Sequence, residues 1–327
     1  MRQAFRIATL VSISTGLIYL LVSRAGLTWA DIVISIHKIP GWALALFVAL
    51  SGANLALGAR KWLIVLRTIA PGPESGPGLT EAMLTSALGE LLGQVMPVQA
   101  GIAVARSLAS HLNIGPSLRA NLGTTLYEQL FDLIVVGIAA VAGVLGLVLH
   151  AGALGWVPII LIWALGSMVL SLKLPTMLAA QAYRVGRLLG KPGLISEIQN
   201  TSRSVSALST VPAQLAVLSM VRYLTNLLRL VVLLGALGMW SQAIPAMIGL
   251  PLVQIIGVVP VTPGNLGVTE WTWSAVLVSS GATIGKAALF ALAARVVNVF
   301  ALSTLVLIFL GYQIAQGTTM NWSWREK

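Results

Sequence analysis

Two stretches decide the fold: GELLGQVMPVQAG at 89–101 and VVPVTPGNLGVTE at 258–270. Each sets a proline and a glycine inside an apolar run. Proline removes a helical N–H and glycine loosens the backbone, so a helix ends there and another begins. Backbone groups freed at such a break are tolerated at membrane depth only against protein or beside a water-filled cavity. The two stretches therefore predict broken re-entrant helical hairpins. Pro97 and Gly101 mark the first break, and Pro260, Pro263 and Gly264 mark the second.

The residues around these breaks supply membrane spans. The chain has 327 residues, of which 57% are hydrophobic and 9% charged. A soluble domain carries about 25% charged residues, and so few charges cannot cover a water-facing surface. A helical span needs about 20 apolar residues. Runs of that kind lie at about 4–22, 41–69, 118–149, 153–172, 211–239 and 285–313. The fold class expected is an all-α polytopic membrane protein, with about six full spans plus the two hairpins. The run from Ile7 to Val22 is read as a retained first span, since it lacks a clean small-x-small cleavage site. A short amphipathic piece at about 28–38 belongs at the interface. PGPESGPG at 71–78 is a turn.

The net charge is +11, from 20 Lys and Arg against 9 Asp and Glu. The basic residues concentrate in short connections between apolar runs, which points to cytoplasmic loops and anionic lipid rather than nucleic acid. With the N-terminus inside and neither hairpin crossing, Arg2, Arg6, Arg60, Lys61, Arg67 and the basic group between Lys173 and Arg203 fall on the inside. Arg24, Lys38 and Lys286 fall outside. The expectation is an integral protein of the plasma (inner) membrane, with both termini cytoplasmic. There is no cysteine, and His37, His111 and His150 have no metal spacing. No metal site and no cofactor are expected.

The two breaks also suggest an internal repeat within a single membrane domain, 1–327. Residues 41–149 form a first half of span, hairpin and span, and 211–313 a second. Residues 173–210 are a more polar cytoplasmic connector. Arg60 and Arg67 precede the first break, and Arg222 and Arg229 the second. Arg67 lies 30 residues before Pro97, and Arg229 lies 31 before Pro260. In the assigned topology the halves run in opposite senses, so the repeat is inverted, as in transporters whose site lies between the halves.

Charges inside apolar spans need a partner, a cavity or a job. Arg222, Asn226 and Arg229 share one helix face by their spacing of four and three. With Arg60 and Arg67 they are the candidate headgroup-binding residues, because a guanidinium fork suits a phosphate. Glu90, Arg106, Glu128, Asp132, Glu270 and Arg295 are candidates for buried ion pairs or gating. The pairs expected are Arg106–Asp132 and Glu270–Arg295. A purely structural role for these pairs, holding helices together, stays open beside a functional one.

ARKW (59–62), the two hairpin stretches and YEQLFDL (127–133) together resemble the transmembrane region of lysylphosphatidylglycerol synthases, a flippase-like family. The resemblance runs from about 40 to 313. It departs at VQAGIAVAR, where the family carries more arginine and glycine, and the soluble synthase domain of the lysyl-transferring members is not present in this sequence. The resemblance implies a lipid flippase or transporter moving an anionic or modified phospholipid, or a polyprenyl-phosphate-linked lipid. The expected partner is a phosphate-bearing membrane lipid, with room for a homo-oligomer or an envelope-biosynthesis partner. The alternative is a membrane-embedded lipid-modifying transferase or an accessory subunit in envelope lipid or glycan biosynthesis. No Asp-x-Asp, metal-cluster or Gly-x-Ser-x-Gly motif is present, which weighs against an enzyme.

Overall fold

The computed structural model describes residues 2–69, 77–96, 98–112, 118–149, 155–188, 193–208, 210–258 and 261–316. Pro97, Pro260 and most of the 71–78 turn lie outside the described residues. Among the described residues the structure is helical and has no strand. The helices are α1 (Arg2–Ala25), α2 (Trp29–His37), α3 (Gly41–Ile69), α4 (Leu79–Leu92), α5 (Val98–Leu112), α6 (Leu118–Val148), α7 (Trp156–Leu188), α8 (Gly193–Ser206), α9 (Thr210–Ala236), α10 (Ala243–Val258), α11 (Val268–Ser279) and α12 (Ile284–Ala315).

The all-α polytopic fold read from the sequence is the fold observed. Helices α3, α6, α7, α9 and α12 are each long and apolar enough to cross a membrane. So is Trp240–Val258, which contains α10 and which the sequence reading took for a hairpin arm. The Ser12–Ala25 part of α1 meets the test only together with α2, across an 83° bend. Thr28 and Asp31 form a capping box that starts α2 and fixes that bend. Span four also runs on beyond the expected residue 172: α7 continues through Pro175 to Leu188. The polar residues after Lys173 had suggested a loop, but polarity along one helix does not end it. The rest of the connector holds α8, which packs on α6 and α7.

The first hairpin closes by backbone contact. A Cβ added at Gly101 would lie 2.5 Å from the Gly89 carbonyl oxygen, and one at Gly89 would lie 2.5 Å from the Ile102 Cα. Gly101 therefore sits inside α5 as a packing residue, and the chain turns before it, at Gly93–Met96. In the second hairpin the turn is Pro263–Asn265, with Gly264 at φ 58°, a left-handed value that favours glycine. The two turns touch: a side chain at Gly264 would strike the Gln94 carbonyl.

Packing around the hairpins is reciprocal. Helices α3 and α9 lie against each other, α4 packs on α12, and α10 packs on α6. The largest apolar core gathers Phe47, Tyr223, Leu230 and Leu234 with Trp273 and Phe290. The outward faces stay apolar, as with Ile160, Leu165, Leu307 and Ile314. Such faces suit a lipid solvent, and the chain is an integral membrane protein.

Gly101→Ala and Gly89→Ala should each lower the midpoint of thermal unfolding in detergent, with a cost of about 1–3 kcal/mol from overpacking. Gly137→Ala, whose Cβ would meet nothing within 4 Å, should leave the midpoint unchanged.

Candidate functional site

Between α6, α9, α10, α11 and α12 lies a cavity of about 870 Å³. Its walls follow from helical spacing. Helix α9 turns Ser219, Arg222, Asn226 and Arg229 toward it, at steps of three and four. Helix α6 contributes Asp132 on a stripe that also carries Leu126, Leu130 and Leu133. Both hairpin turns reach it, through Gly93 and Gln94 and through Gly264 and Asn265. The result is a polar wall facing leucine-rich walls.

The polar wall continues into a buried charge network. Asp132 binds two cations: its Oδ1 is 2.6 Å from Lys61 Nζ and its Oδ2 is 2.6 Å from Arg222 Nη1. Lys61 also lies 3.0 Å from Glu128 Oε2, and Arg106 lies 2.8 Å from Glu128 Oε1. Arg222 reaches Glu90 at 3.1 Å. Neutral groups complete the coordination. Arg106 Nε and Nη2 donate to Ser86 Oγ, and Arg222 Nε donates to Asn54 Oδ1. Asn54 Nδ2 donates back to the Arg222 carbonyl oxygen and to the side-chain oxygens of Thr225 and Asn226. Gly58 makes the space, since a Cβ there would lie 3.3 Å from Arg222 Cζ. Lys61, Arg106 and Arg222 thus balance Glu90, Glu128 and Asp132.

A second cluster joins the hairpin turns. Arg295 Nε pairs with Glu270, Nη2 donates to the Gly264 carbonyl and Nη1 donates to Gln94 Oε1. Glu270 also caps α11 by accepting from the Gly267 N–H at 2.7 Å. One guanidinium therefore holds the turns of both hairpins.

Arg229 is different. No ion pair among the described residues includes it. Its Nη1 donates to Asn226 Oδ1 at 3.2 Å, its Nη2 donates to Asn298 Oδ1, and its Cζ lies 4.7 Å from the centre of the Phe47 ring. Those bonds use the oxygens of both asparagines. Among the described residues neither Nδ2 has a protein hydrogen-bond acceptor. Arg229 and its two amides thus form a cradle of donors on the cavity wall.

Of the expected headgroup residues, Arg222, Asn226 and Arg229 line the cavity, whereas Arg60 and Arg67 are exposed on α3 away from it. The cation that α3 buries is Lys61, which the sequence reading placed in ARKW and on the inside but not among the site residues. One residue along a helix is a rotation of about 100°, enough to move a side chain from one face to another. Asn54, Gly58 and Lys61 stand at the same four-and-three spacing as Arg222, Asn226 and Arg229, and that periodicity was the signal available. Glu270 and Arg295 meet as expected. Arg106 meets Glu128 instead of Asp132, one helical turn away on the same face of α6. Asp132 is taken by the cations of α3 and α9.

The lysylphosphatidylglycerol synthase TM region family matches residues 7–306, and the chain belongs to it. No curated protein and no solved structure matches the chain.

Lys61→Met should destabilise the protein by about 3–5 kcal/mol, because it leaves the three carboxylates Glu90, Glu128 and Asp132 with only Arg106 and Arg222 to balance them in a low-dielectric interior. Its neighbour substitution Arg60→Ala, on the exposed face, should stay within about 0.5 kcal/mol. Unfolding midpoints of the two variants in the same detergent separate these outcomes.

Proposed function

We propose that this member of the lysylphosphatidylglycerol synthase TM region family is a flippase, carrying a phosphate-bearing phospholipid between the leaflets. The observation that carries the reading is Arg229, a cation with no paired carboxylate among the described residues, in a cavity whose other charges are matched. An uncompensated guanidinium costs several kcal/mol in such a setting unless an anion completes it. A lipid phosphate brings that anion, and charge-assisted bonds from Arg229, Asn226 and Asn298 would hold it. The apolar residues Leu126, Leu130 and Leu133 of α6 and Leu250 and Val253 of α10 suit the acyl chains or the first carbons below the headgroup.

On this reading the polar headgroup crosses along the hairpin turns while the tails stay in apolar surroundings. The reciprocal packing of α4 on α12 and α10 on α6, about the α3–α9 contact, supports two inverted halves that rock against each other. Arg295, bound to both turns, is the contact such rocking has to loosen first. The distribution of basic residues supports cytoplasmic termini in the plasma membrane.

The test is translocation in proteoliposomes, read by dithionite quenching of fluorescent phosphatidylglycerol. Arg229→Gln should lower the rate about tenfold, the equivalent of one charge-assisted hydrogen-bond set. Arg184→Ala, exposed on the cytoplasmic extension of α7, should match the parent protein. Parent-like rates for Arg229→Gln would remove the anion site from the mechanism.

A further inference from the structure

We infer that the headgroup this cavity accepts is a phosphate diester bearing neutral hydroxyls, as in a glycerol or sugar phosphate, and that a headgroup carrying an ammonium group is rejected. The inference rests on the lipid-carrying reading above and narrows its substrate.

The rejection follows from the charges. Two carboxylates line the cavity among the described residues, Asp132 and Glu270. Asp132 already holds Lys61 and Arg222, and Glu270 holds Arg295. An incoming ammonium would have to displace one of these cations, and it would enter beside unpaired Arg229. A lipid esterified with a basic amino acid meets like charge and finds no free acceptor of opposite sign. The family name points to an aminoacylated lipid, whereas the charge balance of this wall points to the unmodified anion.

The hydroxyls follow from the neutral groups. Gln129 lines the cavity with both polar atoms of its amide buried and without a protein partner among the described residues. Asn265 also lines it. Its Nδ2 donates to the Gly257 carbonyl, which fixes the other atom as oxygen, and that Oδ1 is buried without a partner among the described residues. A phosphate diester has no hydrogen to give to these oxygens. A hydroxyl has one, and it also accepts, so it satisfies an amide on both sides. Buried polar groups left unmatched are costly, which makes them selective for a ligand that matches them. The wall thus offers donors around Arg229 for the phosphate, and acceptors at Gln129 and Asn265 for its hydroxyls.

The experiment uses the full-length protein in phosphatidylcholine nanodiscs. Binding is measured separately for phosphatidylglycerol, phosphatidylinositol, phosphatidic acid and lysylphosphatidylglycerol. Phosphatidylglycerol and phosphatidylinositol should bind at least about tenfold more tightly than lysylphosphatidylglycerol, with phosphatidic acid in between. Asn298→Asp places a carboxylate of the same shape where Arg229 already donates, cancelling the surplus charge. It should reduce phosphatidylglycerol binding about tenfold and leave lysylphosphatidylglycerol no weaker. Gln129→Leu, which touches no charge, should erase the advantage of phosphatidylglycerol over phosphatidic acid.

Equal or tighter binding of lysylphosphatidylglycerol would overturn the charge argument, while lipid translocation sensitive to Arg229→Gln would leave the flippase reading standing. Phosphatidic acid binding as well as phosphatidylglycerol in the parent protein would overturn the hydroxyl argument. The lipid series on the parent protein decides both even where a variant does not fold. Binding of none of these lipids would overturn this inference, and unimpaired transport by Arg229→Gln would overturn the reading beneath it.

Discussion

Asp132 holds Lys61 of α3 and Arg222 of α9 at the same time, and the assembly of this bundle turns on that double bridge. Apolar contact does little to choose between helix faces in lipid, because the tails are as apolar as leucine. Unmatched charge is what the bilayer penalises. Once Asp132 sits on α6, the faces of α3 and α9 that carry Lys61 and Arg222 have to turn toward it. Glu128, one turn back on the same face, then brings in Arg106 and with it the second arm of the first hairpin. Glu90 on the first arm closes the network on Arg222. Every element from α3 to α6, together with α9, is oriented by this set of charges. Close packing at Gly89 and Gly101 then completes the fit.

This logic explains which parts of the molecule were legible in the sequence. Helix existence was, since apolar length and proline–glycine breaks are local properties. The apolar runs beside the two breaks, at about 79–96, 102–112, 243–259 and 265–281, have edges within a few residues of those of α4, α5, α10 and α11. The end of span four was not legible. Polar residues after Lys173 look like a loop, whereas in three dimensions they lie on a helix that continues past its own proline. Which charged side chains share a face within one helix was also readable, as with Arg222 and Arg229.

Partnership between helices was readable for Glu270 with Arg295 but not for Arg106, which the sequence reading paired with Asp132. Arg106 could be assigned to either Glu128 or Asp132, which lie about 6 Å apart along the helix axis. The register of α5 on α6 chooses, and competition from Lys61 and Arg222 for Asp132 enforces the choice. The prominence of Arg60 misled for a related reason. Two arginines seven apart make a visible pattern, but the face of α3 that meets Arg222 and Asp132 carries Asn54, Gly58 and Lys61, and the first two have no charge to attract notice.

The surplus cation then acquires a specific meaning. If burial of charge here served stability alone, each cation would have a carboxylate, as Lys61, Arg106, Arg222 and Arg295 do. Arg229 instead rests on an aromatic face and two amide oxygens. These contacts lower the cost of the charge without neutralising it, and they occupy the amide oxygens of Asn226 and Asn298 while leaving their amide nitrogens without an acceptor among the described residues. A permanent carboxylate at Asn298 would be the more stabilising solution, and it would also close the site. A site that must bind and release an anion needs the opposite compromise: enough support for the guanidinium to fold without the ligand, and too little to hold it satisfied. On the proposed lipid-carrying reading, the geometry around Arg229 fits that compromise. It accounts for a charge imbalance being kept on the cavity wall, where both hairpin turns converge.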